Sequence, residues 1–274
     1  MTQGKDFIST TEASESAVRL KSSGMANCKF CAQAENEPFK GKGFDHVCTM
    51  NSNVLDDTQL QSMLDKGSQF RCCGAENFIA EDYFKSQARA RGVELGTVDT
   101  TPGAGAFLRY LASTLKAQSV VEVGTGSGVG SLWLFDGMLP SGTLTSIDDE
   151  MEHSQIAKLA FSEADIAQSR YRLITNSVLD VISKLTDRAY DLVVLRHNPE
   201  DLSYVINEAH RILRSGGALV IDNYYGGGKV CDAAQRDPRT VALRDAGKII
   251  KNDTDHWVSS LIPVGDGLLI ATKL

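Results

Sequence analysis

The run Val120-Val121-Glu122-Val123-Gly124-Thr125-Gly126-Ser127-Gly128-Val129-Gly130 carries the clearest chemical signal in the chain. An apolar strand enters a glycine-dense turn, and a helical pattern follows. Glycine at such a turn admits positive φ and lets backbone approach a ligand with no Cβ in the way. The amides at the start of the next helix then face that ligand. A nucleotide-type ligand suits this arrangement. The dinucleotide fingerprint places glycines at relative positions 0, 2 and 5, and counting from Gly124 the last of these falls on Val129. That disfavours a nicotinamide-dependent oxidoreductase. A second apolar run ends in Ser146-Ile147-Asp148-Asp149-Glu150, where an acid at the carboxyl end of a strand can accept both hydroxyls of a ribose. Asp148 is the expected ribose ligand.

The surrounding pattern must position these residues. From Glu76 onward, helical segments are expected at Ala80–Arg91, Gly103–Lys116, Val129–Met138, Met151–Ala164, Val178–Leu185 and Ser203–Leu213. β-Branched runs at Ser119–Gly124, Thr143–Asp148, Tyr171–Thr175, Asp191–Leu195 and Ala218–Asp222 alternate with them. Such alternation predicts right-handed crossovers and a doubly wound, Rossmann-like, mostly parallel α/β sheet with helices on both faces. The end reads differently: Trp257–Pro263 and Leu268–Lys273, joined by Val264-Gly265-Asp266-Gly267, predict an antiparallel hairpin.

Composition bounds the functions available. The chain has 274 residues, 42% of them hydrophobic and 23% charged, which is the range of a soluble globular protein. Its net charge of −7 argues against a basic nucleic-acid surface. No apolar run approaches the roughly 18 residues of a membrane span, and the first 20 residues lack a signal-peptide pattern, so the expected compartment is the cytoplasm. Five of the six cysteines fall before Gly74. There Cys28, Cys31, His46 and Cys48 could make a tetrahedral zinc site. The tight His-x-Cys spacing and the competing Cys72-Cys73 favour instead a poorly ordered extension with incidental thiols. Residues 1–75 are therefore expected to form an extension, and residues 76–274 the working domain.

The segments TPGAGAFLRYL, VVEVGTGSGVGSLWL, GTLTSID, YDLVVL, RILRSGGALVIDN and PVGDGLL, in this order over about 175 residues, resemble the bacterial O-methyltransferases related to catechol O-methyltransferase. These belong to the class I S-adenosylmethionine-dependent methyltransferases. The resemblance implies a seven-stranded sheet with one antiparallel strand, and cofactor contacts at Thr100, Glu122, Gly124, Thr125, Gly126, Gly128, Gly130, Asp148, Asp149, Ser177, Val178 and Arg196. It implies Glu122 at the amino-acid end of the cofactor, Ser177 and Val178 beside the adenine, and a homodimer.

The catalytic region departs from the pattern. Many relatives hold a divalent cation with an Asp ending the fourth strand and an Asp-Asn pair ending the fifth, and a nearby Lys can act as base. Here Asp222-Asn223 keeps the pair, Arg196 replaces the first Asp, and Pro199 stands at the Lys position. A guanidinium does not ligate metal, so no usual divalent-cation site is expected, and Arg196 is expected to pair with Asp222. His197, with its near-neutral pKa, is a further candidate base, although the family places an adenine-covering residue there. His153 and His210 read as surface or packing residues. Tyr224 and Tyr225 could line an acceptor pocket or be ordinary loop aromatics. The expected activity is methyl transfer to a small-molecule hydroxyl, with a cofactor-binding protein lacking turnover as the alternative.

Overall fold

A computed structural model describes residues 74–196 and 201–274. Its seven strands are β1 (Ser119–Val123), β2 (Thr143–Asp148), β3 (Tyr171–Thr175), β4 (Tyr190–Leu195), β5 (Leu213–Ile221), β6 (Trp257–Ile262) and β7 (Leu268–Lys273). They form one sheet in the order β3-β2-β1-β4-β5-β7-β6. The first five pair in parallel, while β7 runs antiparallel between β5 and β6. This is the expected doubly wound sheet ending in a hairpin. The order of strand addition reverses between β1 and β4, the parallel neighbours at the centre. Open α/β sheets bind their ligands at such a switch point, beyond the carboxyl ends of the strands.

Alternate residues of each central strand serve opposite faces. Val121 and Val123 of β1, with Val193 and Leu195 of β4 and Leu219 and Ile221 of β5, pack in one core. Val120, Leu192, Val194, Ala218 and Val220 pack in the other. Burial on both sides is why these strands read as continuous apolar runs rather than as alternating ones. The first core lies under α5 (Val178–Ile182), α6 (Leu202–Ile212) and α7 (Pro238–Asn252); the second lies under α2 (Pro102–Thr114), α3 (Val129–Gly137) and α4 (Met151–Glu163). The latter face also receives Ala88 of α1 (Tyr83–Leu95).

Local signals set most boundaries. Asp82 caps α1 by accepting from the Lys85 amide at 2.9 Å, and Gly96 ends it in the left-handed region. That shifts the helix three to four residues beyond the expected Ala80–Arg91. Thr101 caps α2, with Pro102 opening it. Helix α7 has no counterpart in the sequence reading. Its signals are Asp237 as N-cap, Pro238 at the first position and a buried stripe of Leu243, Ala246 and Ile250, but Arg and Lys residues crowd the intervening positions. Strand β5 begins at Leu213, five residues before the expected Ala218, with an irregular register opposite Tyr190–Leu192.

His210 of α6 packs edge-on against Trp257 and His256, with ring centroids 5.1 and 5.0 Å away. Burial pushes its pKa below the ordinary 6.5, helped by the Lys273 and His256 charges and opposed by Asp253. A proton therefore binds the unfolded chain more readily than the folded one. The stabilising contribution is complete above about pH 6.5 and is lost as pH falls through the lower folded value. Thermal melts between pH 7.5 and 5.5 should show a smaller decline for His210→Gln than for the parent; equal declines would remove His210 from the acid response.

Candidate functional site

The turn after β1 puts Gly124, Gly126 and Gly128 at φ of 88°, 53° and 86°. A side chain at Gly126 would face both the backbone strain and the Asp99 carboxylate, 2.8 Å from its Cβ. Gly128 starts α3 with no side-chain cap, so the amides of its first turn remain available to an acceptor group. The loop is braced from two sides. Asp99 accepts from the Ser127 amide at 3.1 Å, the Ser127 hydroxyl at 2.8 Å and the Thr97 hydroxyl at 2.9 Å. On the other side, Asp148 Oδ2 accepts from the Gly126 amide at 3.1 Å.

Asp148 is buried at the carboxyl end of β2. Its Oδ1 accepts from the Glu150 amide and meets His153 Nδ1, each at 3.0 Å. His153 is therefore no free surface histidine but part of this cluster. Asp149 is exposed. Ser177 is also exposed and caps α5 by accepting from the Leu179 amide at 3.3 Å, while Val178 is buried in the core. Thr125 is buried, its hydroxyl 2.7 Å from that of Ser146.

Glu122 is fully buried and its carboxylate is engaged within the protein. Oε2 accepts from the Ser146 hydroxyl at 2.6 Å and from that of Ser131, and Oε1 pairs with Arg196 Nη2. The Arg196 guanidinium also donates from Nε to the Gly124 carbonyl at 3.3 Å. It lies over Gly130, where a Cβ would stand 1.2 Å from Nη1. The expected Arg196–Asp222 ion pair is thus replaced by Arg196–Glu122. Asp222 reaches Arg196 only through its field, which together with that of Asp99 opposes the fall in Arg196 pKa that burial causes. The physical reason is room: Gly130 leaves a space on the α3 side of the sheet that a guanidinium can occupy.

Beyond β5, Asp222 and Asn223 are both buried. Asn223 adopts φ 55°, and its amide donates to Asp222 Oδ1 at 2.8 Å. Burial pushes the Asp222 carboxyl up, against the Thr100 hydroxyl, the Arg196 charge and the Asn223 amide. Asn223 Nδ2 is buried without a hydrogen-bond partner, while the Thr100 hydroxyl is within reach of the Asp222 carboxyl. A buried polar atom left unpaired is costly, so this amide fits a site completed by a bound molecule. The surroundings fit a divalent cation poorly. Among the described residues no group of three or more His, Cys, Asp or Glu side chains is placed to hold a metal ion, and a cation there would face the buried Arg196 charge. His197 and Pro199 lie outside the described residues, as do Cys28, Cys31, His46 and Cys48.

Tyr224 packs beneath α7, its hydroxyl so placed that a Cβ at Gly247 would stand 2.0 Å away, and Tyr225 covers Gly267. Both are packing residues here. A cavity of about 290 Å³ opens beside Asn223 instead, walled by Val98, Lys229, Arg239, Leu243 and Asp266 among others. The sequence reading missed Asp99, Ser131 and Ser146. Ser146 had a signal, since it lies directly across from Glu122 in the β1–β2 register. Asp99 had only its place in Thr97-Val98-Asp99-Thr100, just ahead of the α2 cap.

Comparison with known proteins decides the family. The O-methyltransferase family profile matches residues 75–274. This chain belongs to that O-methyltransferase family. A relative from Mycobacteroides abscessus that bears an O-methyltransferase name is 46% identical over 199 residues, 73% of this chain and 92% of the relative. A Mycobacterium strain KMS protein with the same family name is 45% identical over 199 residues, covering 73% and 90%. A crystal structure from Corynebacterium glutamicum superposes with a TM-score of 0.69 at 31% identity, covering 76% of this chain and 97% of that one. The O-methyltransferase TomG of Streptomyces achromogenes, crystallised with S-adenosylmethionine, gives 0.64 at 25% identity, covering 71% and 91%. Among the described residues of this O-methyltransferase, no helix is long and apolar enough to cross a membrane.

Proposed function

We propose that the chain transfers a methyl group from S-adenosylmethionine to a hydroxyl of a small molecule, without a divalent cation. The observation that carries this is the glycine loop, with its uncapped α3 amides beside a buried Asp148 at the switch point, in a member of the O-methyltransferase family. TomG, crystallised with S-adenosylmethionine, supports the choice of cofactor. When bound, that cofactor supplies a sulfonium methyl for in-line attack by an oxygen.

This chain's own residues then have separable tasks. Asp148 accepts the ribose hydroxyls, and Gly124, Thr125, Gly126, Gly128 and Gly130 let backbone come close. Asp149, Ser177 and Val178 border the adenosine side, and Thr100 the opposite wall. Glu122 acts through Arg196, holding the guanidinium fixed at the end of β4. Asn223 Nδ2 donates to the acceptor oxygen and Asp222 Oδ2 takes its proton, a general-base role that suits a carboxyl raised by burial. His197 is the alternative base. Held together, these groups convert a bimolecular reaction into an aligned one, the main contribution expected from the protein.

Transfer of labelled methyl from S-adenosylmethionine to a panel of phenols and catechols tests the reading. Activity should persist in EDTA, and calorimetry should show no stoichiometric Mg²⁺ binding. Activity lost in EDTA and restored by Mg²⁺ would overturn the metal-free part. Arg196 at the metal position and Pro199 at the Lys position favour a second reading, a cofactor-binding protein without turnover. S-Adenosylhomocysteine binding with no transfer to any acceptor would establish it.

A further inference from the structure

We infer that the cavity beside Asn223 selects acceptors carrying an anionic group, a single aromatic ring bearing a hydroxyl and a carboxylate being the simplest case. The inference rests on the reading of Asn223 as the group that meets the acceptor oxygen. Two independent features of the cavity support it. The first is Asn223 itself, 6% exposed, which borders the space and whose buried side-chain amide has no hydrogen-bond partner. A buried donor left open in this way calls for an oxygen from outside the protein.

The second feature is an asymmetry among the charges of the wall. Two acids and two cations line it, yet only the acids are engaged. Asp237 spends Oδ1 on the Thr240 amide at 3.1 Å and Oδ2 on the Thr240 hydroxyl at 2.7 Å, capping α7. Asp266 Oδ2 accepts from the Gly227 amide at 2.7 Å, closing the glycine turn. Lys229 contributes a field at Asp237 but makes no ion pair, and Arg239 makes none either, among the described residues. Their N–H donors are free while both acids are held by hydrogen bonds from the protein, so the cations are the charges left to meet a ligand. Carboxylate suits such a wall, and a guanidinium binds it in bidentate fashion.

Size narrows the class. About 290 Å³ is near the lower end of small-molecule sites, enough for one substituted ring. Val98 and Leu243 supply apolar contact, and Gly226 and Gly227 add wall without side-chain bulk.

The test compares a hydroxybenzoate with its neutral amide and methyl ester, by calorimetry on protein saturated with S-adenosylhomocysteine and by methyl transfer. The acid should be preferred by about tenfold, the scale of one charge-assisted hydrogen bond, with the preference shrinking as salt is raised. Lys229→Gln/Arg239→Gln should bring the ratio close to one. Both side chains are exposed, so this variant should melt as the parent does and bind S-adenosylhomocysteine with parental affinity. Equal affinity for acid and amide in the parent, or a preference that survives in the double variant, would overturn the inference. If S-adenosylhomocysteine fails to bind, the cofactor reading falls, and the same titration on the free protein still decides whether these two cations select an anion.

Discussion

Arg196→Ala should destabilise the protein by about 3–5 kcal/mol, the usual cost of stranding one partner of a buried ion pair. For a domain of this size that is a fall in Tm of roughly 10 °C. The cost arises from Glu122, which is wholly buried and would have to stay charged with only the Ser131 and Ser146 hydroxyls for company or else take up a proton. Neutralising that charge should therefore rescue: Glu122→Gln/Arg196→Ala should recover most of the loss, since removing both charges also removes the desolvation penalty. Gly130→Ala attacks the same pair from outside, because its Cβ would overlap the guanidinium. In the parent it should be nearly as damaging as losing Arg196; in the Arg196→Ala background, where the space is empty, it should cost little. Urea melts of these variants measure the coupling. Losses that simply add, or an Arg196→Ala cost below about 1 kcal/mol, would mean that the pair does not hold this end of the sheet together.

That pair also marks where the sequence stops being legible. The strands β1 to β4, the glycine turn and the terminal hairpin could be read because their signals are local: continuous apolar runs, G-x-G-x-G, and Val-Gly-Asp-Gly between two β-prone segments. Parity along the strands was legible too, since Glu122, Arg196 and Asp222 continue the residues whose side chains enter the α3 core. Parity leaves Arg196 flanked by two acids and does not choose between them. The choice turns on Gly130, the second residue of α3 and eight residues beyond Glu122, whose missing side chain makes room on the Glu122 side. Glycine at that place in the sequence reads equally well as part of the ligand loop. Helix α7 went unread for a different reason. Only its buried stripe is apolar, and Arg239, Arg244, Lys248 and Lys251 dilute it, so packing against α6 and β6 rather than local pattern sustains the helix. His153 illustrates a third limit: a histidine at an exposed-looking helical position becomes a site residue once β2 and α4 bring it 3.0 Å from Asp148.

Asp148→Ala should weaken S-adenosylhomocysteine binding by about a hundredfold, the product of two lost charge-assisted hydrogen bonds to ribose hydroxyls at roughly 1.4 kcal/mol each. Loss of the carboxylate also frees the Gly126 and Glu150 amides, so part of the effect would come from a loosened loop rather than from the ribose. Two variants separate these contributions. Asp148→Asn keeps one acceptor oxygen but not the charge, and should lose about tenfold. His153→Gln leaves Asp148 in place and offers a shorter donor toward Oδ1, whereas His153→Ala leaves that oxygen with the Glu150 amide alone. If His153 only packs, both substitutions should alter melting and affinity together; if it orients the carboxylate, His153→Gln should restore affinity that His153→Ala loses, at equal stability. A comparison with 2′-deoxy-S-adenosylhomocysteine closes the argument. The parent should discriminate against it, and Asp148→Ala should not, because a missing hydroxyl matters only where a carboxylate waits to accept from it. Parental discrimination retained in Asp148→Ala would place the ribose elsewhere on the sheet edge.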